Sequence, residues 1–328
     1  MELSWLLIFK IGASLAGVIV GIGMFSELSW PVKLKVTATL LLGVILMGLL
    51  GWPLVAPVEP FEVISVPALR GAVTLLGLAV LVGFIGFFLS RPLGREIGIL
   101  AVPAGLAIWA VRCDNMAELM RLNSTLPQRQ ALFAALKWEP IFWLAMVAAG
   151  FGGVLVGQYL VSRPSSLVPS SRQAPSIQNL VSGIIATVVS VFIAQFCIGI
   201  FAQDIRIADP KLGSVVAQPA TGQIIFAVML SFGIAGFLVK KFLNAGYIWP
   251  IVASALVTGF TVITHLKQET LRQLVERHPP AFFPSASLSI LPVQIVSFGV
   301  LGSITGYWLA VRVILQRSSS RSPDKKAN

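Results

Sequence analysis

From Gly71 to Ser90 the chain carries no charged residue, and stretches like it recur along almost the whole sequence. A helix rises 1.5 Å per residue, so about 20 apolar residues cross the ~30 Å hydrocarbon core of a bilayer. In lipid the backbone must satisfy its own hydrogen bonds, which leaves helices or closed barrels. These runs lack the period-two alternation of barrel strands. They predict an all-α, polytopic transmembrane helical bundle. Charged residues make up 11% of the 328, against about 25% in a soluble domain.

About nine spanning helices are expected, near 4–25, 34–56, 68–90, 96–112, 138–162, 178–202, 222–242, 246–265 and 290–314. The first lacks a basic head and a small-residue cleavage site, so it reads as a retained helix rather than a signal peptide. Lys10 lies within it, close enough to its start for the side chain to snorkel to the interface. Two segments are polar and amphipathic. Residues 113–137 read as a pair of surface helices, with Asp114 as a cap, Met116, Leu119 and Met120 on one face, and Pro127 as an interruption. Residues 266–289 hold a second amphipathic element around Leu271, Leu274 and Val275, followed by His278 and a proline-rich turn.

The chain says one phrase twice. Gly83-Phe-Ile-Gly86-Phe87 ends the third run before Arg91, and Gly233-Ile-Ala-Gly236-Phe237 ends the seventh before Lys241. Further on, Gly153, Gly157, Leu160 and Arg163 correspond to Gly302, Gly306, Leu309 and Arg312. The order of features matches as well, so runs 2–5 echo runs 6–9. The expected organisation is an N-terminal transmembrane helix (1–30), a four-helix repeat (31–163), a Ser/Pro-rich linker (164–176), a second four-helix repeat (177–316) and a disordered basic tail (317–328). Repeats of four helices are parallel, related by an axis along the membrane normal.

The net charge of +11 and pI of about 10.2 would suggest nucleic acid in a soluble chain. In a membrane chain they fit basic cytoplasmic loops, and no nucleic-acid partner is expected. Short loops rich in Lys and Arg alternate with longer loops of mixed charge. This places the N-terminus outside and the C-terminus in the cytoplasm, in a plasma or bacterial inner membrane. Trp5, Trp52, Trp109, Trp138 and Trp143 are then expected at the outer interface, and Trp30, Trp249 and Trp308 at the inner one.

Candidate functional residues are few. Gly83, Gly86, Gly153, Gly157, Gly233, Gly236, Gly302 and Gly306 would let helices approach closely. Pro103 and Pro250 fall in the fourth and eighth runs, and paired interrupted helices point to a transporter's midplane site. Thr187, Gln195 and Gln294 are polar residues that could line it. No Asp, Glu or His lies deep in a run, which argues against an ion-coupled carrier with a buried carboxylate. The acids sit in the outer loops (Glu59, Glu62, Asp114, Glu118, Glu139, Asp204, Asp209, Glu269, Glu276), where solvation and helix capping account for them. Two cysteines, Cys113 and Cys197, form no metal-ligand or disulfide pattern. No Walker loop, HExxH or G-x-S-x-G is present, so no catalytic residue, metal or cofactor is expected. The first functional reading is passage of a small or lipid-like solute between the repeats. The alternative is a structural or assembly subunit, with a membrane protein or a second copy of the chain as partner beside the lipid bilayer. The third is an outer-leaflet enzyme.

Overall fold

The computed structural model describes residues 29–56, 69–113, 115–161, 177–210, 213–265, 271–272, 275–276 and 282–320. The first predicted run and Lys10 lie outside these, as do Glu59, Glu62, Asp114, Glu269, His278, the 164–176 linker and the tail from 321. Among the described residues, eight helices are long and apolar enough to cross a membrane, and they coincide with the second to ninth predicted runs.

In chain order, helix α1 (Trp30–Gly43) continues as a π-helical segment (Val44–Leu50) and a short 3₁₀ turn (Trp52–Leu54). Next come α2 (Leu69–Leu89), α3 (Gly94–Gly98) and α4 (Ala101–Arg112). Two short helices, α5 (Met116–Leu122) and α6 (Leu126–Leu136), lead into α7 (Glu139–Val161). Then follow α8 (Ile177–Phe201), strands β1 (Arg206–Asp209) and β2 (Gly213–Ala217), α9 (Thr221–Leu243) and α10 (Ile248–His265). Strand β3 (Phe282–Phe283), a 3₁₀ turn (Ala286–Ser289) and α11 (Pro292–Ser320) complete the chain.

The fold is a mostly helical bundle, as expected, with one small sheet in its connections. Strands β1, β2 and β3 form an antiparallel sheet in that order. The stretch Asp204-Ile-Arg-Ile207 alternates polar and apolar, and Gly213 takes a positive φ of 79° that a side chain would resist. Because β2 joins the 6–7 connection to β3 in the 8–9 connection, those two connections lie at the same end of the bundle. At the opposite end the Lys35 ammonium donates to the Arg91 carbonyl, tying the start of α1 to the α2–α3 turn.

Helix starts are set by local chemistry. Asn115, beside the expected Asp114, caps α5 by accepting from the Glu118 N–H at 2.8 Å. Thr125 and Gln128 form a capping box at α6. Pro127 therefore opens α6 at its second position, where its missing N–H costs nothing, instead of interrupting a helix. Met116, Leu119 and Met120 are buried, as their spacing predicts.

Close packing follows the glycines. In the first half α2 lies against α7, and in the second α9 lies against α11. A Cβ built on Gly153 would fall 2.0 Å from the Val80 carbonyl oxygen, and one on Gly302 would fall 2.4 Å from that of Met229. Gly83 faces the Gly150 carbonyl, Gly306 the Gly233 carbonyl, Gly157 the Phe87 ring and Gly236 the Ser303 backbone. Gly86 is 3.3 Å from the Gly98 oxygen by the same construction, and Gly233 has 3.7 Å of room. The other helix contacts also come in matching sets. Helix α1 packs on α4 as α8 packs on α10, and α4 touches α11 as α10 touches α7, while α7 and α11 meet each other.

Two of the expected interfacial tryptophans are instead core residues. Trp109 and Trp143 are fully buried and stack edge to face at 6.0 Å. Every residue of α4 from Ala101 to Val111 is buried, so this helix runs through the middle of the protein rather than along the lipid. Trp30 and Trp138 remain exposed, and Trp249 fills the notch over Gly183.

Candidate functional site

Thr187, Gln195 and Gln294 line neither of the two cavities described below. Pro103 and Pro250 are both buried at the third position of their helices, α4 and α10. An N–H in a first turn has no intrahelical partner, so neither proline removes a bond there. The break in the fourth run lies just before Pro103, at the turn Ile99–Leu100 between α3 and α4. The Thr187 hydroxyl donates to the Gly183 carbonyl of its own helix at 3.0 Å. Gln195 is half-buried on α8. Gln294 is buried and bridges the two halves. Its Nε2 donates to the Ala110 carbonyl of α4 at 3.2 Å, and its Oε1 accepts from the Leu291 N–H at 3.0 Å. It caps α11 and fastens it to α4.

Glu139 departs from its expected solvated role. It is 2% exposed at the start of α7, with Oε2 accepting from Trp143 Nε1 at 3.3 Å and Oε1 without a hydrogen-bond partner. Glu118 and Glu276 sit in exposed pairs with Arg121 and Arg272, one helical turn away in each case. Among the described residues no group of three His, Cys, Asp or Glu could hold a metal ion.

Two cavities lie where the halves meet. The smaller one, about 210 Å³, is lined by Ile99 from the first half, Leu144, Val147, Phe151 and the exposed Ala148 of α7, Ile248 (also exposed) and Ile251 of α10, and Ile304 of α11. It is almost wholly apolar. The second, about 770 Å³, opens at the end of the bundle that carries Lys35 and Arg91. Its walls come from α1 (Val32, Val36), the α2–α3 turn and α3 (Leu93, Arg95, Glu96), Tyr247 before α10, and the end of α11 (Tyr307, Trp308, Arg312). Tyr247 lines both, so the polar mouth and the smaller apolar pocket lie side by side at that residue.

The chemistry of the mouth is mixed. Tyr247 and Tyr307 stack edge to face at 5.2 Å, and the Lys240 ammonium lies 5.3 Å from the centre of the Tyr307 ring. Lys240 also donates to Asn244 Oδ1 at 2.8 Å, Asn244 being the left-handed residue that ends α9. Burial raises the pKa of the Tyr247 phenol, and the nearby positive charge of Arg95 works in the opposite direction. The phenol is thus a neutral donor held beside a cation. In the sequence, Arg91 and Lys241 only follow the runs they end, and Trp308 reads as an interfacial indole. The mouth is not visible there because Arg95, Tyr247 and Arg312 come from three distant segments. The local signal was the concentration of Tyr, Trp, Lys and Arg at the ends of runs on one side.

No protein-family model, curated protein or solved structure matches this chain.

Proposed function

We propose that a lipid-like solute is taken up, and passes, between two related four-helix halves. The observation that carries this reading is the pairing of a charged, aromatic mouth with an apolar cavity at Tyr247. Such a pair matches an amphiphile in polarity and order. It fits a small hydrophilic solute poorly, because the interior offers no polar groups to replace its water. The test is reconstitution in liposomes with a fluorescent phospholipid, following its transfer between leaflets by quenching from outside. Ala148 stands at the rim of the apolar cavity. Ala148→Phe is expected to plug it and slow transfer about tenfold, the factor that ~1.4 kcal/mol of added barrier produces. Equal rates in the variant, the native protein and empty liposomes would sink the proposal.

The two halves are read as a parallel duplication, α1–α7 and α8–α11. Matching helix contacts support this, as does the glycine register, with Gly153 over Val80 and Gly302 over Met229. Contacts of α7 with α11, and of each with the other half's central helix, are those a two-fold axis between the halves would generate. The basic mouth then faces the cytoplasm by the positive-inside rule. A reporter fused after residue 125 is expected outside and one after residue 170 inside, and the reverse pattern would overturn the orientation.

The second reading, an assembly subunit, is favoured by one feature. Strand β1 is an edge strand with Ile205 and Ile207 exposed, the kind of edge a partner's strand can extend.

A further inference from the structure

The mouth described above can be assigned a ligand chemistry. Three charged side chains line it: Arg95, Glu96 and Arg312. Lys240, on the Tyr307 ring that forms one wall, adds a further positive charge. Among these four described side chains the charges sum to a positive value, and Arg95 and Arg312 come from opposite halves of the chain. Guanidinium forks suit phosphate oxygens, and the neutral Tyr247 phenol beside Arg95 offers a single O–H donor. Gln316 adds one more polar side chain, and most of the remaining wall is apolar: Val32, Val36, Leu93, Ile97, Val311 and Leu315. A free inorganic anion would leave those side chains facing water. A headgroup with chains attached would cover them, and the adjoining 210 Å³ cavity has the lining of a site for part of an acyl chain. Trp308 and the two tyrosines are the side chains that sit at headgroup level in membrane proteins. Basic pockets between spanning helices are suited to anionic headgroups.

We propose that this mouth is a binding site for an anionic glycerophospholipid, with Arg95 and Arg312 on its phosphate diester and an acyl chain in the apolar cavity beside Tyr247. The assignment rests on the reading that an amphiphile occupies the junction of the halves, and names its class.

The full chain is purified in mild detergent and stripped of lipid. It is then offered phosphatidylglycerol, phosphatidylethanolamine and phosphatidylcholine with identical chains, and bound lipid is counted by native mass spectrometry. One phosphatidylglycerol is expected to bind about tenfold more tightly than either zwitterionic lipid, since each basic side chain near a headgroup contributes ~1 kcal/mol. Arg95→Gln together with Arg312→Gln is expected to bring that preference within about twofold. Arg317→Gln, on the exposed stretch beyond the mouth, is expected to leave it unchanged. If the double variant does not fold, the lipid preference of the native protein and the single variant Arg95→Gln, at an exposed position of α3, still decide. Equal binding of all three lipids overturns the proposal. So does displacement of the lipid by inorganic phosphate, which would mean a small-anion site. Retained selectivity without transfer between leaflets sinks the passage reading and leaves this one standing. Transfer without selectivity does the opposite.

Discussion

Gly153→Ala is expected to destabilise the protein by about 3 kcal/mol, whereas Gly152→Ala, one residue earlier, should be neutral or slightly stabilising. The difference lies in what each methyl would meet. At Gly153 it would fall 2.0 Å from the Val80 carbonyl oxygen, while at Gly152 it has nothing within 4 Å. A side-chain tip could swing away, but a backbone carbonyl inside a helix cannot move without shifting α2 against α7. Alanine also favours the helix over glycine by ~0.5–1 kcal/mol, so the two variants should differ in sign as well as size. The second half offers the same contrast across one contact. Gly306→Ala would drive into the Gly233 carbonyl at 2.0 Å, but a methyl on Gly233 itself keeps 3.7 Å from its nearest neighbour. Thermal unfolding in detergent, followed by intrinsic fluorescence, reads all four variants. If Gly152→Ala and Gly153→Ala melt together, the α2–α7 crossing is wrong.

These glycines were legible in the sequence, because a small residue every fourth position inside an apolar run has few other uses. The spans were legible too, since length and apolarity are local properties. What the sequence concealed is which side of each helix faces protein. Helices α2 and α4 are equally apolar to the eye, yet α4 is buried throughout and α2 presents Val73, Val80 and Leu81 outward. Lipid and protein interior are equally apolar, so periodicity cannot separate them. The density of Ala and Gly in Ala101-Val-Pro-Ala-Gly-Leu-Ala107 was the one hint, as small residues let neighbours close in on every side. Strand β1 leaves only a short trace in the sequence, the alternation Asp204-Ile-Arg-Ile207. It was read as a loop because it is short and lies between strong helices.

The residues of the mouth were not legible as a group. Arg95, Tyr247 and Arg312 each have a sufficient local explanation at the end of an apolar run. Only the packing of α3, α10 and α11 at one end makes them neighbours. Glu139 illustrates the opposite error. Its place beside Trp138 and Pro140 at a helix start suggests solvent. The fold instead turns it inward onto Trp143, so a residue read as a surface acid is a buried carboxyl with one oxygen unpaired.

Trp109 is the side chain whose loss should cost most. It is fully buried, stacks on Trp143, and its Nε1 donates to the Gly48 carbonyl at 3.0 Å. That carbonyl lies in the π-helical segment Val44–Leu50. In π register its partner would be the N–H five residues on. Position 53 is proline and has none. The indole of α4 therefore supplies the donor that the local chain lacks, and binds the second run to the fourth. Trp109→Phe retains most of the volume but leaves the Gly48 oxygen without this donor in an apolar setting, at a cost of about 1–3 kcal/mol. Trp109→Ala adds a large cavity and should cost ~3–5 kcal/mol, enough to prevent accumulation of a marginally stable protein. Pro53→Ala separates the two contributions. By restoring an N–H at position 53 it should give the Gly48 carbonyl a local donor, so Trp109→Phe should cost less in the Pro53→Ala background. A double-mutant cycle on unfolding free energy measures that coupling. A coupling of zero would mean that the indole acts by packing alone.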